Sequence, residues 1–109
     1  MPLRQVPERP FSSGTYRYVC GLATDPDALR SRFDIHFEEN HQAQLAPELF
    51  SVVELSSGEM LWFIYHPAGH PDSLDILADG NADIRRCRQQ LLRDLALTEA
   101  DLAWKPDEA

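Results

Sequence analysis

LFSVVELSSGEMLWFIYH, residues 49–66, decides how the rest of the chain is read. Two apolar runs flank Ser56-Ser57-Gly58-Glu59. β-Branched and aromatic side chains dominate both runs, a composition that suits strands better than a buried helix. With Ser57-Gly58 as a two-residue loop, Ser56 stands opposite Glu59. A period of two then places Leu49, Ser51, Val53, Leu55, Met60, Trp62, Ile64 and His66 on one face. Phe50, Val52, Glu54, Leu61, Phe63 and Tyr65 fall on the other. Neither is the polar face that a solvated antiparallel hairpin shows. The hairpin therefore needs cover on both sides: the chain's own helices on one, a second copy or another protein on the other. Phe50, Val52, Trp62, Phe63 and Tyr65 are the interface residues this reading predicts.

Outward from the hairpin, the pattern predicts an α+β fold. Residues 15–21, TYRYVCG, alternate as a strand, with Tyr16, Tyr18 and Cys20 sharing a face. Asp25-Pro26-Asp27 is a helix start, with Asp25 as cap and proline in the first turn, opening a short helix over 26–33. Residues 34–39 alternate as a one-sided strand near a sheet edge. Residues 73–78 are ambiguous between a helical turn and a strand. Ile84, Cys87, Leu91 and Leu95 recur at helical spacing within a helix over 82–97, capped by Asn81, with its arginines on the flanks and outer face. Thr98-Glu99-Ala100-Asp101 is a second capping pattern that sets Leu102 and Trp104 against the body. The expected architecture is a mostly antiparallel sheet around the central hairpin with two helices on one face, ferredoxin-like or a variant. Residues 1–14, with three prolines, predict an extended arm, mobile at its start. Residues 15–105 form the domain and 106–109 a polar tail.

Composition narrows the function. A length of 109 residues with 43% hydrophobic side chains supplies a core without a structural metal. Ten basic and eighteen acidic residues leave a net charge of −8, which argues against nucleic acid as a partner. No window approaches the ~20 apolar residues of a membrane span. The first residues lack a secretory signal, so a cytoplasmic location is expected. Cys20 and Cys87 form no motif and read as two free, buried thiols. No Gly-x-Ser-x-Gly elbow and no glycine-rich phosphate loop is present.

Two functional readings follow. The first is a binding protein without catalysis: an inhibitor, immunity or regulatory protein acting through a basic protein partner or as a homodimer, with acidic complementarity speeding association. The second rests on the histidines. His36, Glu38, His66 and His70 are the candidate metal ligands, and imidazole with carboxylate suits zinc or iron in a small metal-dependent enzyme or metal-binding domain. Their spacings match no ligand motif, and the first reading is the one preferred.

Overall fold

The computed structural model describes residues 3–39, 48–69 and 71–106. The chain folds as α+β. Its elements in order are β1 (Leu3–Val6), β2 (Tyr16–Leu22), α1 (Pro26–Phe33), β3 (Glu38–Glu39), β4 (Leu49–Leu55), β5 (Met60–Tyr65), β6 (Leu74–Asp79), α2 (Ile84–Asp94), a single 3-10 turn (Glu99–Asp101) and β7 (Leu102–Trp104). The seven strands form one open sheet in the order β1-β4-β5-β6-β2-β7, with β3 alongside β4. All its pairings are antiparallel. The ambiguous segment 73–78 is a strand, and the sheet has more strands than the ferredoxin-like template expected, an arrangement this strand order does not establish.

The hairpin pairs in a different register from the one predicted. Leu55 N–H donates to Glu59 O at 2.8 Å, Gly58 N–H donates to Leu55 O at 2.9 Å, and Glu54 stands opposite Met60. The loop is thus the three residues Ser56-Ser57-Gly58, closed by Gly58 at φ 93°, a conformation glycine adopts without steric cost. A slip of one residue moves a strand's side chains to the opposite face. Leu61, Phe63 and Tyr65 therefore join Leu49, Ser51, Val53 and Leu55 on the helix-covered inner face. Met60, Trp62 and Ile64 join Phe50, Val52 and Glu54 outside. Of the predicted interface residues, Phe50, Val52 and Trp62 look outward, while Phe63, fully buried, and Tyr65 pack into the inner core.

Strand directions explain which elements cover which face. Four antiparallel steps separate β1 from β2, and β2 from β3; two separate β6 from β7. Each of these pairs runs the same way, so its connection must pass over the sheet. The crossovers through α1 and α2 take the inner face, and Leu29, Ile84, Cys87, Leu91 and Leu95 close the main core there. The third, residues 7–15, takes the outer face without a helix. Phe11 stacks on Trp62 with ring centroids 4.2 Å apart, and Trp62 Nε1–H donates to Arg9 O at 3.1 Å. Val52, Trp62 and Leu77 form a second, smaller core beneath it, with Val6, Phe11, Met60 and Ile64 packed around them. The crossover ends on Asp79, whose carboxylate accepts Ser13 N–H at 2.8 Å and Asn81 N–H at 3.0 Å. These bonds, Ser13 first, hold the Asp79 carboxyl below its ordinary pKa. The arm predicted as mobile begins as a sheet strand, because Leu3 pairs with Leu55 and buries its side chain in the inner core.

Two local features depart from simple periodicity. β2 carries a bulge at Val19, where the pairing shifts between Tyr18 opposite Leu77 and Cys20 opposite Ile76. The extra residue leaves Tyr16 and Tyr18 outward while Cys20 and Leu22 turn inward, so the three residues predicted to share a face do not. Arg88, predicted on an exposed flank, is 4% exposed and donates from Nη1 to Val19 O at 3.2 Å, satisfying a carbonyl at the bulge. α2 itself starts later than predicted. Asn81 N–H and Ala82 N–H are engaged by Asp79, so the turn continues and Asp83 caps instead, accepting Arg86 N–H at 3.2 Å. α1 keeps its predicted bounds, with Asp25 accepting Ala28 N–H at 2.9 Å.

The outer edge of β4 is shared by two short strands. β1 pairs with Val52 through Leu55, and β3 with Leu49 and Phe50. The Gln5 side chain joins them: its Nε2 donates to His36 O at 2.7 Å and its Oε1 accepts His36 N–H at 2.8 Å. A side-chain amide thereby does what a peptide unit does in a ladder.

Candidate functional site

The outer face carries one continuous row of aromatic rings. Trp62 meets Phe11 at 4.2 Å, Phe11 meets Tyr16 at 5.6 Å, Tyr16 meets Tyr18 at 5.7 Å, and Tyr18 meets Trp104 at 5.6 Å. The last two contacts are edge-on, the geometry in which ring quadrupoles attract. The row runs from a covered end to an open one. Trp62 is buried under Phe11, whereas Tyr16, Tyr18 and Trp104 are 51%, 43% and 37% exposed.

Each open ring is placed by backbone. The Val19 bulge turns Tyr16 and Tyr18 outward together. Trp104 is set by a chain of smaller devices. Thr98 and Asp101 form a capping box, Ala23 N–H donates to Asp101 O at 3.0 Å, and β7 then pairs Trp104 with Gly21. Only glycine fits beneath that indole, since a Cβ at Gly21 would run into its ring.

At the open end, Tyr18, Trp104, Ser73 and Asp75 bound a hollow of about 290 Å³. Asp75 lies on β6 between Gly21 and Ile64, its side chain 21% exposed. His66 stands next to it, with Nε2 4.0 Å from Asp75 Oδ2 and Nδ1 3.8 Å from Glu48 Oε2. Partial burial of the ring, then Tyr16 and then the carboxylates Asp75 and Glu48, raise the Tyr18 phenol above its ordinary pKa. Glu38 lies on the same face, opposite Phe50. Glu54 does too, but Arg4 pairs with it at 2.9 Å. Both lie toward the far edge of the sheet, three or more strands from β2, so the acidity around the open rings comes from Asp75 and Glu48.

The histidines stand apart. His36 Nε2 contacts Asp34 Oδ1 at 2.9 Å on the exposed edge beside β1. His66 lies beyond β4, at the end of β5, so roughly two strand spacings of ~5 Å separate them across the sheet. His70 and His41 lie outside the described residues. Among the described residues no three His, Cys, Asp or Glu are grouped to hold a metal ion. No helix among them is long and apolar enough to cross a membrane.

Both thiols are unpaired and buried. Cys20 is raised to about 12, by burial above all. Cys87, whose Sγ–H donates to Glu59 Oε2 at 2.8 Å, is raised to about 12 by burial and then by that carboxylate. Both thiols stay neutral near pH 7 and are poor nucleophiles. The same burial predicts an alkaline weakness. Below pH 9 both states keep both protons and stability is undiminished. Between pH 9 and about 12 the unfolded chain sheds protons that the folded chain retains. Stability then falls by about 1.4 kcal/mol per pH unit for each thiol. The Cys20→Ala, Cys87→Ala double variant is expected to flatten this slope when urea midpoints at pH 8 and pH 10 are compared.

Sequence reading passed over Phe11, Tyr16, Tyr18, Asp75 and Trp104 as a group. Tyr-x-Tyr spacing was a legible sign that two rings share a face, and an aromatic residue among prolines was a sign that the arm docks. No protein-family model, no curated protein and no solved structure matches the chain.

Proposed function

We propose that this chain is a non-catalytic binding protein whose outer sheet face receives a basic surface of another protein, as an inhibitor, immunity or regulatory module does. The observation that carries this reading is the open end of the aromatic row, three rings more than a third exposed and framed by Glu48 and Asp75. Contiguous exposed rings rimmed by charge mark association surfaces. The net charge of −8 gives the sign of the partner. Dimerisation through the same face would bring these carboxylates against their own copies, so a basic partner is favoured over a second copy. The molecule measures 32 × 31 × 28 Å, and one such face is on the scale of the ~800 Å² that each partner gives to a standard interface. A reducing, cytoplasmic setting suits the two free thiols.

Capture on immobilised protein tests the proposal, comparing the wild type with a Tyr18→Ala, Trp104→Ala variant at 50 and 500 mM salt. The expected result is a basic protein that is retained by the wild type and lost both with the variant and at high salt. A captured set identical for wild type and variant overturns the reading. So does a wild-type dimer that the variant converts to monomer.

A further inference from the structure

We propose that the hollow bounded by Tyr18, Ser73, Asp75 and Trp104 is a socket for one guanidinium group, an arginine side chain of the docked protein. This inference rests on the outer-face reading for the nature of the partner, and on the socket's own geometry for the group it takes. Tyr18 and Trp104 meet at 5.6 Å with planes at 65°, so the two rings make an angled wall with an aromatic face open to the hollow of about 290 Å³. A cation against such a face is attracted by the ring quadrupole. Asp75 supplies the countercharge. Its side chain is 21% exposed, reachable but screened less by water than a fully solvated carboxylate. Among the described residues no lysine or arginine pairs with it; its ionisable neighbour is His66 at 4.0 Å. Ser73 adds a hydroxyl at the rim. A flat, delocalised cation uses all of these at once, stacking on the rings while presenting paired N–H groups to the carboxylate. An ammonium is a hydrated point charge and cannot do both.

The shape also accounts for Gly21. With any larger residue there, the indole would be displaced from its position against Tyr18 and the wall would open. The socket is thus built by the bulge, the glycine and the capping box acting together, and its acid comes from the neighbouring strand β6.

The test uses the intact chain and blocked tripeptides Gly-Arg-Gly, Gly-Lys-Gly and Gly-citrulline-Gly, followed by the indole N–H resonances. Arginine peptide is expected to shift the Trp104 signal to saturation while the Trp62 signal, held on Arg9 O, stays in place. Citrulline, with the same shape and no charge, should bind at least tenfold more weakly, and lysine should fall between. Asp75→Asn should lose tenfold or more for arginine, whereas Glu54→Gln should lose nothing. Equal response to arginine and citrulline, or wild-type affinity in Asp75→Asn, overturns the socket. An unmoved Trp62 resonance shows that the variant is folded. If arginine fails here while capture still depends on Tyr18 and Trp104, the socket falls and the docking face stands. If neither depends on these residues, both fall.

Discussion

Trp62→Ala is expected to cost about 3–5 kcal/mol, the range for a buried tryptophan truncated to alanine. Against the ~5–15 kcal/mol that holds a domain of this size together, that is a third or more of the total. Trp62 is 8% exposed and lies at the centre of the outer core. It packs with Val52 and Leu77, carries Phe11 on its face and donates to Arg9 O. Truncation therefore removes the floor on which the crossover of residues 7–15 rests, as well as its own burial. Two measurements separate these effects. Urea unfolding gives the loss of stability, and chymotryptic cleavage after Phe11 reports release of the crossover before global unfolding. Phe11→Ala should release the crossover at a smaller cost, because it leaves the sheet's own packing intact. If Trp62→Ala unfolds with a wild-type midpoint, the second core contributes nothing and the outer face is a surface only.

Asp94→Ala is expected to cost about 2–3 kcal/mol. Asp94 is 7% exposed in the last turn of α2, where a negative charge opposes the helix dipole. It is held there by the hairpin tip. Ser56 N–H donates to Oδ2 at 2.7 Å, Ser56 Oγ–H to Oδ1 at 2.8 Å, and Gln90 Nε2 to Oδ1 at 2.9 Å. Gln90 also reaches Ser56 Oγ at 2.9 Å. Charge-assisted bonds of this kind are each worth more than neutral ones, and their loss strands the donors. Relief of the dipole clash, about 0.3–1 kcal/mol, offsets only part of this. Asp94→Asn keeps both positions filled and should lose about half as much. Amide exchange at Ser56 should accelerate in Asp94→Ala, while the Leu55–Glu59 pairing is retained. Unchanged exchange at Ser56 would show that the clasp does not hold the tip.

The same clasp explains how far the sequence could be read. The α+β class, α1 with its Asp25 cap, and the last capping box were legible because each depends on residues a few positions apart. The hairpin was legible as two strands, but its register was not. Ser-Ser-Gly serves loops of two or three residues, and the choice is reinforced by Asp94, 38 positions away. Because one residue of slip exchanges faces, Phe63 and Trp62 were assigned to the wrong sides together. The bulge at Val19 was hidden for a similar reason: its carbonyl is satisfied by Arg88, 69 positions on. A face count made without that partner set Cys20 beside Tyr18. The candidate site inherited both errors, since the slip decides that Trp62 faces outward and the bulge decides that Tyr16 and Tyr18 face away from the Cys20 side. Its acidity was visible from composition, but its location was not.

The Gln5 splice has a consequence for how this protein behaves in crowded solution. A sheet's outermost strand offers unpaired backbone groups on which other chains can grow. Here that margin is divided between two pieces, four residues and two residues long, with a side-chain amide in the joint and Arg4, Glu38 and Glu39 around it. At the opposite margin β7 has three residues. Among the described residues the marginal strands are therefore short, and the part of β2 that β7 leaves uncovered, Tyr16 to Cys20, carries the bulge at Val19, whose carbonyl Arg88 already takes. The apolar strands β4 and β5 lie inside these short margins, which shield them from templated, fibre-forming addition while the outer face stays open to a docked partner.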